Sequence, residues 1–232
     1  MKLALLGYGR MGKAIEEIAL ERGHQIVCKL DKEESEGSLE EADTAINFSV
    51  PDAAVENINK ALNLSIPVVC GTTGWLDAYD EVTQTARKNN TAFLYASNFS
   101  VGVNLFFKLN KILAKMMGPH KDYKVSIQET HHIHKLDAPS GTAITLAEGI
   151  IDHSDLTQWK MAEEGPETVF IESFREGEVP GTHSIKYQSN IDEINIEHKA
   201  HNRKGFALGA VIAAEWIANK KGIFKMEDVL NL

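Results

Sequence analysis

Cysteine is scarce in this chain, with Cys28 and Cys70 the two examples in 232 residues. Each falls in an apolar run that reads as a buried strand, so reduced core thiols are expected and a disulfide framework is not. Positive charge is also short. Lysine and arginine number 24 against 33 aspartates and glutamates, a formal net charge of -9 at pH 7. That balance excludes a broad nucleic-acid-binding surface and leaves room for a local basic pocket at most. Long apolar runs are missing as well. No window has the length needed to span a bilayer. The opening MKLALLGYG carries one charge and too short an apolar stretch for a secretory leader. The expectation is a cytoplasmic protein with no nucleic-acid or membrane partner. Internal repeats and low-complexity tracts are absent too.

What remains is an ordinary globular balance, 43% hydrophobic and 25% charged, long enough for one large domain or two small ones. Residues 2–6 (KLALL) form a continuous apolar run, the pattern of a strand buried on both faces. Helical spacing follows over 11–22, with Gly23 just past its end. HQIVCKL is a second strand ending at Asp31. Residues 32–43 (KEESEGSLEEAD) are acidic and read as a solvated connection. TAINFS is a strand, Pro51 opens a helix, and IPVVC is a strand ending in GTTG. Residues 75–89 read as helix and TAFLYA as another strand.

This β–α alternation implies a Rossmann-type, doubly wound parallel sheet with helices on both faces. After residue 100 the pattern changes. A long amphipathic helix spans about 101–117, with Leu105, Leu109, Ile112, Leu113 and Met116 on one stripe. YKVSIQET alternates as a strand, 141–152 is helical, and TVFIESFREG, HSIKYQS and DEINIEHKA alternate with no helices between them. These predict a second α+β domain with a mixed sheet. The strongly apolar 206–219 suits a helix packed back on the first sheet. The expected division is a dinucleotide-binding domain at 1–100 and 208–232, and a substrate-binding and oligomerisation domain at 101–207.

Polar clusters close the strands of the first half. In open parallel sheets the ligand crevice lies at those carboxyl ends. Gly7, Gly9 and Gly12 fit G-x-G-x-x-G between a buried strand and a helix, and Asp31 follows nineteen residues after Gly12. Such glycines allow a tight turn and close approach to a pyrophosphate at the positive helix end. Asp31 suits both ribose hydroxyls of NADH and repels a 2′-phosphate, which Lys32 beside it partly neutralises. NADH and NADPH therefore both stay open. Gly71-Thr72-Thr73 leaves space for a flat ring or is an ordinary tight turn. In Ala96-Ser97-Asn98-Phe99, Asn98 either orients a nicotinamide or caps the next helix.

The segment HHIHKLDAPSGTA, 131–143, packs three histidines, a lysine and an aspartate into seven residues. His132 and His134 on one side of an extended strand suggest a metal. Against that, protonated Lys135 disfavours a second cation, and no compact carboxylate–histidine set accompanies the block, so no metal ligand is assigned. Solvated surface histidines are the bland alternative. The sharper reading is a general acid beside a cationic anchor. Ser140-Gly141-Thr142 opens a helix whose N–H groups suit a carboxylate. Two anion sites flanking an acid point to a small dicarboxylate substrate.

GYGRMG, CGTTG, ASNFSVGVN, the HHIHKLDAPSGTA block and HKAHNRKGFALGAV together resemble the 4-hydroxy-tetrahydrodipicolinate reductase (dihydrodipicolinate reductase) family over essentially the whole chain. The block is highly specific, whereas the glycine fingerprint is shared with many dehydrogenases. The resemblance implies NAD(P)H-dependent reduction of 4-hydroxy-tetrahydrodipicolinate in lysine and diaminopimelate biosynthesis. It implies catalytic roles for His131, the proton donor/acceptor, and Lys135, and substrate contacts from His132, Gly141 and Thr142. For the cofactor it implies Gly7, Tyr8, Gly9, Arg10, Met11, Gly12, Asp31, Lys32, Gly71, Thr72, Thr73, Ala96, Ser97, Asn98 and Phe99. It further implies a homotetramer built through the sheet of the second domain. The chain departs from the family in its short acidic connection after Asp31 and in Ser97, where proline is frequent. The competing readings are another reductase on the same cofactor domain, such as an amino-acid or semialdehyde dehydrogenase, and a redox-sensing dinucleotide-binding protein. The His131–Lys135 pair argues against the latter.

Overall fold

The computed structural model describes residues 1–31, 35–161, 165, 167–202 and 204–232. The chain divides into two compact units, Met1–Val101 with Lys204–Leu232, and Gly102–Arg203.

The first unit is built on a seven-stranded sheet. Its strands are β1 (Lys2–Leu6), β2 (Gln25–Leu30), β3 (Ser35–Gly37), β4 (Thr44–Asn47), β5 (Val68–Cys70), β6 (Ala92–Tyr95) and β12 (Gly222–Phe224). Their order is β12-β6-β5-β4-β1-β2-β3, parallel throughout except for the antiparallel β2–β3 pair. Its helices are α1 (Arg10–Glu21), α2 (Pro51–Asn63), α3 (Tyr79–Lys88), α6 (Lys204–Ile217) and α7 (Met226–Leu230).

The continuous apolar run of β1 is explained by burial on both faces. Leu3 and Leu5 join α1 and α6 in one core, with Ile15, Ile18, Ala207, Ala210 and Val211. Ala4 and Leu6 face the other way, into a second core with Ala54, Ile58, Val82 and Ala86 of α2 and α3. Each fully buried leucine or isoleucine contributes about 1.5–3 kcal/mol. The closing helix α6 therefore returns to the first sheet, as its apolar character predicts. It lies very close: a Cβ at Gly209 would fall 1.7 Å from the Phe99 carbonyl oxygen. Cys28 and Cys70 are free and buried in β2 and β5. The acidic connection, read as a solvated one, supplies the edge strand β3 and a short helical turn at Leu39–Glu41. Pairing to the free edge of β2 forms β3, although its side chains bury nothing.

The second unit carries α4 (Val101–Met117), which begins at the unit boundary, and α5 (Gly141–Ile151). Its strands are β7 (Lys124–His131), β8 (Gln158–Lys160), β9 (Thr168–Arg175), β10 (Thr182–Gln188) and β11 (Glu193–Lys199). The order is β11-β10-β7-β9-β8. The sheet is mixed, because β10 runs antiparallel to β7 and β11 while β7–β9 and β8–β9 are parallel. One face holds Ile127, Val169, Ile171 and Ile185 against Phe106, Ala114, Leu146 and Ile150 of α4 and α5. Of the apolar stripe read from the sequence of α4, only Leu113 packs against this core. Leu105, Leu109, Ile112 and Met116 are 47–64% exposed, and Val103, Phe106, Asn110 and Ala114 turn inward. Leucines outline a stripe, but packing of α4 against α5 and the sheet turns a neighbouring face of the helix inward. Asn110 is kept inside by donating to the Leu146 carbonyl at 2.8 Å.

Candidate active site

In the first unit the sheet reverses its winding between β1 and β4, the crevice position of such folds. Gly7 ends β1 at φ +102°, and a Cβ there would lie 2.4 Å from the Phe48 carbonyl oxygen just after β4. A Cβ at Gly12 would meet the Gly7 carbonyl oxygen at 2.4 Å, so only glycine lets α1 sit this close to the turn. Gly9 is the N-cap of α1 and has no side-chain capping bond. Nothing lies within 4 Å of a Cβ built on it. Uncapped N–H groups, open space and exposed Arg10 make this turn fit a pyrophosphate. Tyr8 lies flat under Lys29, whose Nζ is 4.6 Å from the ring centroid, and donates its hydroxyl to Glu16. Met11 is half-buried against the α1–α6 core. Asp31 stands exposed just past β2, and Lys32 lies outside the described residues.

The other predicted cofactor stretches also end strands of this sheet. Thr72 is buried: its Oγ1 accepts from the Ser49 N–H at 2.9 Å and the Asn47 amide at 3.2 Å. Its carbonyl takes the Trp75 indole N–H at 2.7 Å. This side chain ties two strand ends together and leaves Thr73 as the exposed part of the turn, while the Phe48 ring lies against Gly71, where a Cβ would meet it at 2.2 Å. Asn98 Oδ1 accepts the Ser100 N–H at 2.9 Å, ahead of α4, which is capping behaviour. Phe99 is 2% exposed, with its ring on Phe48 and its carbonyl against Gly209 of α6, so it is buried behind this strand end; Ala96 is partly accessible and Ser97 exposed.

The histidine block follows β7 in the second unit. His131 is the last residue of that strand and is buried, whereas 132–135 form a turn, not an extension of the strand. His132 and His134 consequently do not share a strand face. His134 is exposed beside Glu178 at 3.3 Å, which explains why it belongs to no constellation. Lys135 Nζ is held by both carboxylate oxygens of Asp137 at 2.7 and 2.8 Å. The Lys135 side chain is a fifth exposed, and its ammonium group keeps the Asp137 carboxyl below the usual range. Ser140 caps α5, its Oγ accepting the Ala143 N–H at 3.2 Å. Gly141 and Thr142 form the first turn of that helix, and a Cβ at Gly141 would touch nothing.

Sequence reasoning missed what lies beneath. Glu129, fully buried in β7, sits in register with His183 of β10 on one side and Ser173 of β9 on the other. Both of its oxygens accept the Ser140 N–H at 3.1 Å, and Oε1 accepts the Ser173 hydroxyl at 2.8 Å. Arg175 reaches Oε1 at 3.5 Å, while Oε2 lies 3.5 Å from His131 Nδ1 and 3.6 Å from His183 Nε2. Burial alone would raise the Glu129 carboxyl, but His183, Ser140 and Ser173 outweigh it and hold the group ionised far below the usual carboxylate range. The His131 pKa also falls, to about 4, through burial first and then the neighbouring His183, so this ring is held neutral where Glu129 is held charged. The absence of a carboxylate–histidine set, expected from sequence, is thus corrected: Glu129, His131 and His183 place ligand-type atoms within 4.8 Å of one another. Glu129 is already committed to three donor groups, one a guanidinium, which describes a hydrogen-bonded hub. The available signal was parity, because Glu129 shares its strand face with Ile127 and His131. A cavity of about 860 Å³ at the far end of β7, near Tyr123, Ser126 and Tyr187, contains none of the predicted site residues.

Comparison with known proteins matches both parts of the chain. The family described as dihydrodipicolinate reductase, N-terminus, covers residues 1–99, and dihydrodipicolinate reductase, C-terminus, covers 102–230. A 4-hydroxy-tetrahydrodipicolinate reductase of Christiangramia forsetii is 53% identical across 100% of this chain and 98% of its own length. One from Neisseria meningitidis serogroup C is 34% identical over 94% of this chain and 84% of that protein. Among solved structures, dipicolinate-bound dihydrodipicolinate reductase from Paenisporosarcina sp. TG-14 superposes with a TM-score of 0.81 at 22% identity, covering 97% of each chain.

Proposed function

The chain belongs to the dihydrodipicolinate reductase family, and from that membership we infer that it reduces 4-hydroxy-tetrahydrodipicolinate to tetrahydrodipicolinate in lysine and diaminopimelate biosynthesis. The observation that carries this reading is the full-length 53% identity to a curated reductase of that activity. In the net reaction the substrate gains a hydride and a proton and loses water. NADH or NADPH supplies the hydride when bound.

The chain's own residues divide the remaining work. The glycine turn Gly7–Gly12 holds the pyrophosphate, Asp31 the adenosine ribose, and the turns at Gly71–Thr73 and Ala96–Phe99 the nicotinamide end. Lys135 and the α5 N-terminus at Gly141 and Thr142 hold the two carboxylates of a small dicarboxylate, the class of ligand found in the Paenisporosarcina structure. His132 lines the same site. His131 passes the proton at its ring. Because burial holds free His131 neutral near pH 7, the proton arrives with the dicarboxylate, whose charge offsets Lys135 and Arg175. Assembly as a homotetramer through the second sheet is supported by its outer face, where Phe174 is 47% exposed. No helix among the described residues is long and apolar enough to cross a membrane, in keeping with a cytoplasmic reductase.

Thr142→Val tests the carboxylate role. The substitution keeps the shape of the side chain and removes one hydroxyl. A hydrogen bond to a charged group contributes about 1.5–3 kcal/mol. The substrate KM is therefore expected to rise tenfold or more, with cofactor affinity unchanged. An unaltered KM would remove Thr142 from the site.

A further inference from the structure

We propose that Glu129 is the positioning residue of this active site, one buried carboxylate that sets the His131 ring, the α5 N-terminus and the Lys135 turn at once. The inference rests on the reading that His131 handles the proton, and it adds a group to which neither the sequence motif nor the comparisons assign a role.

Three connections carry it. The first runs to His131. Its Nδ1 is buried with no hydrogen-bond partner, and Glu129 Oε2 is 3.5 Å away. Catalytic hydrogen bonds are often long in a free enzyme and tighten on the reaction path. An ionised acceptor on that side keeps the ring proton on Nδ1 and leaves Nε2 as the atom that takes and gives the catalytic proton. Space is kept there by Gly181, where a Cβ would crowd Nε2 at 3.1 Å. The second connection is the Ser140 N–H, gripped by both carboxylate oxygens at 3.1 Å. Ser140 is the cap of α5 and is steadied from the other side by His183 Nε2 at 3.1 Å, so Glu129 fixes where Gly141 and Thr142 begin. The third passes through Arg175. Its guanidinium rests on Glu129 at 3.5 Å and donates to the Lys135 carbonyl at 3.2 Å and the Asp137 carbonyl at 2.6 Å. The turn that presents Lys135 is thereby fastened to the same carboxylate.

The charges facing His131 come from Glu129 on its own strand, His183 on β10, Arg175 on β9 and Lys135 in the turn. Only Glu129 favours the imidazolium; the other three oppose it. Removing its charge therefore makes His131 harder to protonate, and the limb where activity falls with rising pH moves to lower pH. A carboxylate this close shifts a neighbour by about one unit or more.

The test is the pH dependence of kcat for the full-length enzyme carrying Glu129→Gln, Glu129→Asp or His131→Gln, with cofactor affinity and circular dichroism as checks of folding. Glu129→Gln should lose about tenfold or more in kcat at neutral pH, with its alkaline limb displaced downward by about one unit and cofactor binding intact. Glu129→Asp, which restores the charge, should return the limb to its wild-type position at partial turnover. A folded Glu129→Gln enzyme with a wild-type limb overturns the proposal. If His131→Gln is inactive while Glu129→Gln keeps that limb, only this inference fails; if His131→Gln turns over normally, the proton role beneath it fails first. Should Glu129→Gln not fold, nitrogen-labelled histidine NMR of the wild-type protein decides. Neutral His131 protonated on Nδ1 supports the assignment, and the Nε2–H tautomer overturns it.

Discussion

Replacing Lys135 with alanine is expected to lower kcat by about 10²–10⁴-fold while leaving the affinity for NADH and NADPH near that of the wild type. The two halves of that expectation have separate physical origins. Lys135 belongs to the turn after β7 in the second unit, whereas the glycine turn, Asp31 and the ends of β5 and β6 belong to the first. Its ammonium is held in place by Asp137 at 2.7 Å, and its backbone by Arg175. The side chain therefore meets a carboxylate already oriented, with little ordering left to do on binding. Alanine removes both the anchor and the charge that stabilises a developing anion. Lys135→Arg should not restore full turnover, because a planar fork does not reproduce a compact ammonium. Stopped-flow kinetics combined with fluorescence titration of NADH separates the two quantities. Equal loss of turnover and cofactor binding would contradict the division of roles.

The second large effect is on stability in acid. His131 is 8% exposed and its pKa falls from 6.5 to about 4 on folding. The folded form therefore disfavours the protonated ring, and below pH 6.5 the unfolded chain binds the extra proton. Stability is full above that pH and declines as pH falls towards 4. Glu129 acts in the same direction lower down. Its folded carboxyl lies far below the usual 4.5, so its contribution is present above pH 4.5 and fades as acid protonates the unfolded chain. The His131 shift corresponds to at most about 3 kcal/mol, a large part of typical domain stability. Urea denaturation across pH 4–7 should show this decline, and His131→Gln should flatten it between 6.5 and 4. A wild-type midpoint constant over that range would contradict the buried, neutral assignment.

The parts of this molecule legible in sequence share one property: they depend on residues close along the chain. Gly7, Gly9 and Gly12 sit within one strand–turn–helix unit, so their spacing carries the geometry directly. The 131–142 block and the strong apolar runs of β1, β4, β5 and β6 are local in the same sense. The mixed character of the second sheet could be read because β9, β10 and β11 follow each other without helices. What stayed hidden depends on register between strands far apart in the chain. His183 and Ser173 flank Glu129 only because β10 and β9 align there, and no local pattern reports that alignment. Parity on β7 gave a partial signal, a carboxylate on the apolar side of an alternating strand. The inward face of α4 was hidden for a related reason. Its choice of Phe106 and Ala114 over Leu105 and Leu109 is made by α5 and the sheet, not by the helix itself.

The most direct measurement is steady-state kinetics of the purified protein on enzymatically generated 4-hydroxy-tetrahydrodipicolinate, with NADH and NADPH in parallel and the product identified by mass. Stoichiometric oxidation of at least one cofactor with appearance of tetrahydrodipicolinate is the predicted result. Neither cofactor being oxidised, with the dicarboxylate recovered unreduced, would contradict the assignment of this chain as a working reductase.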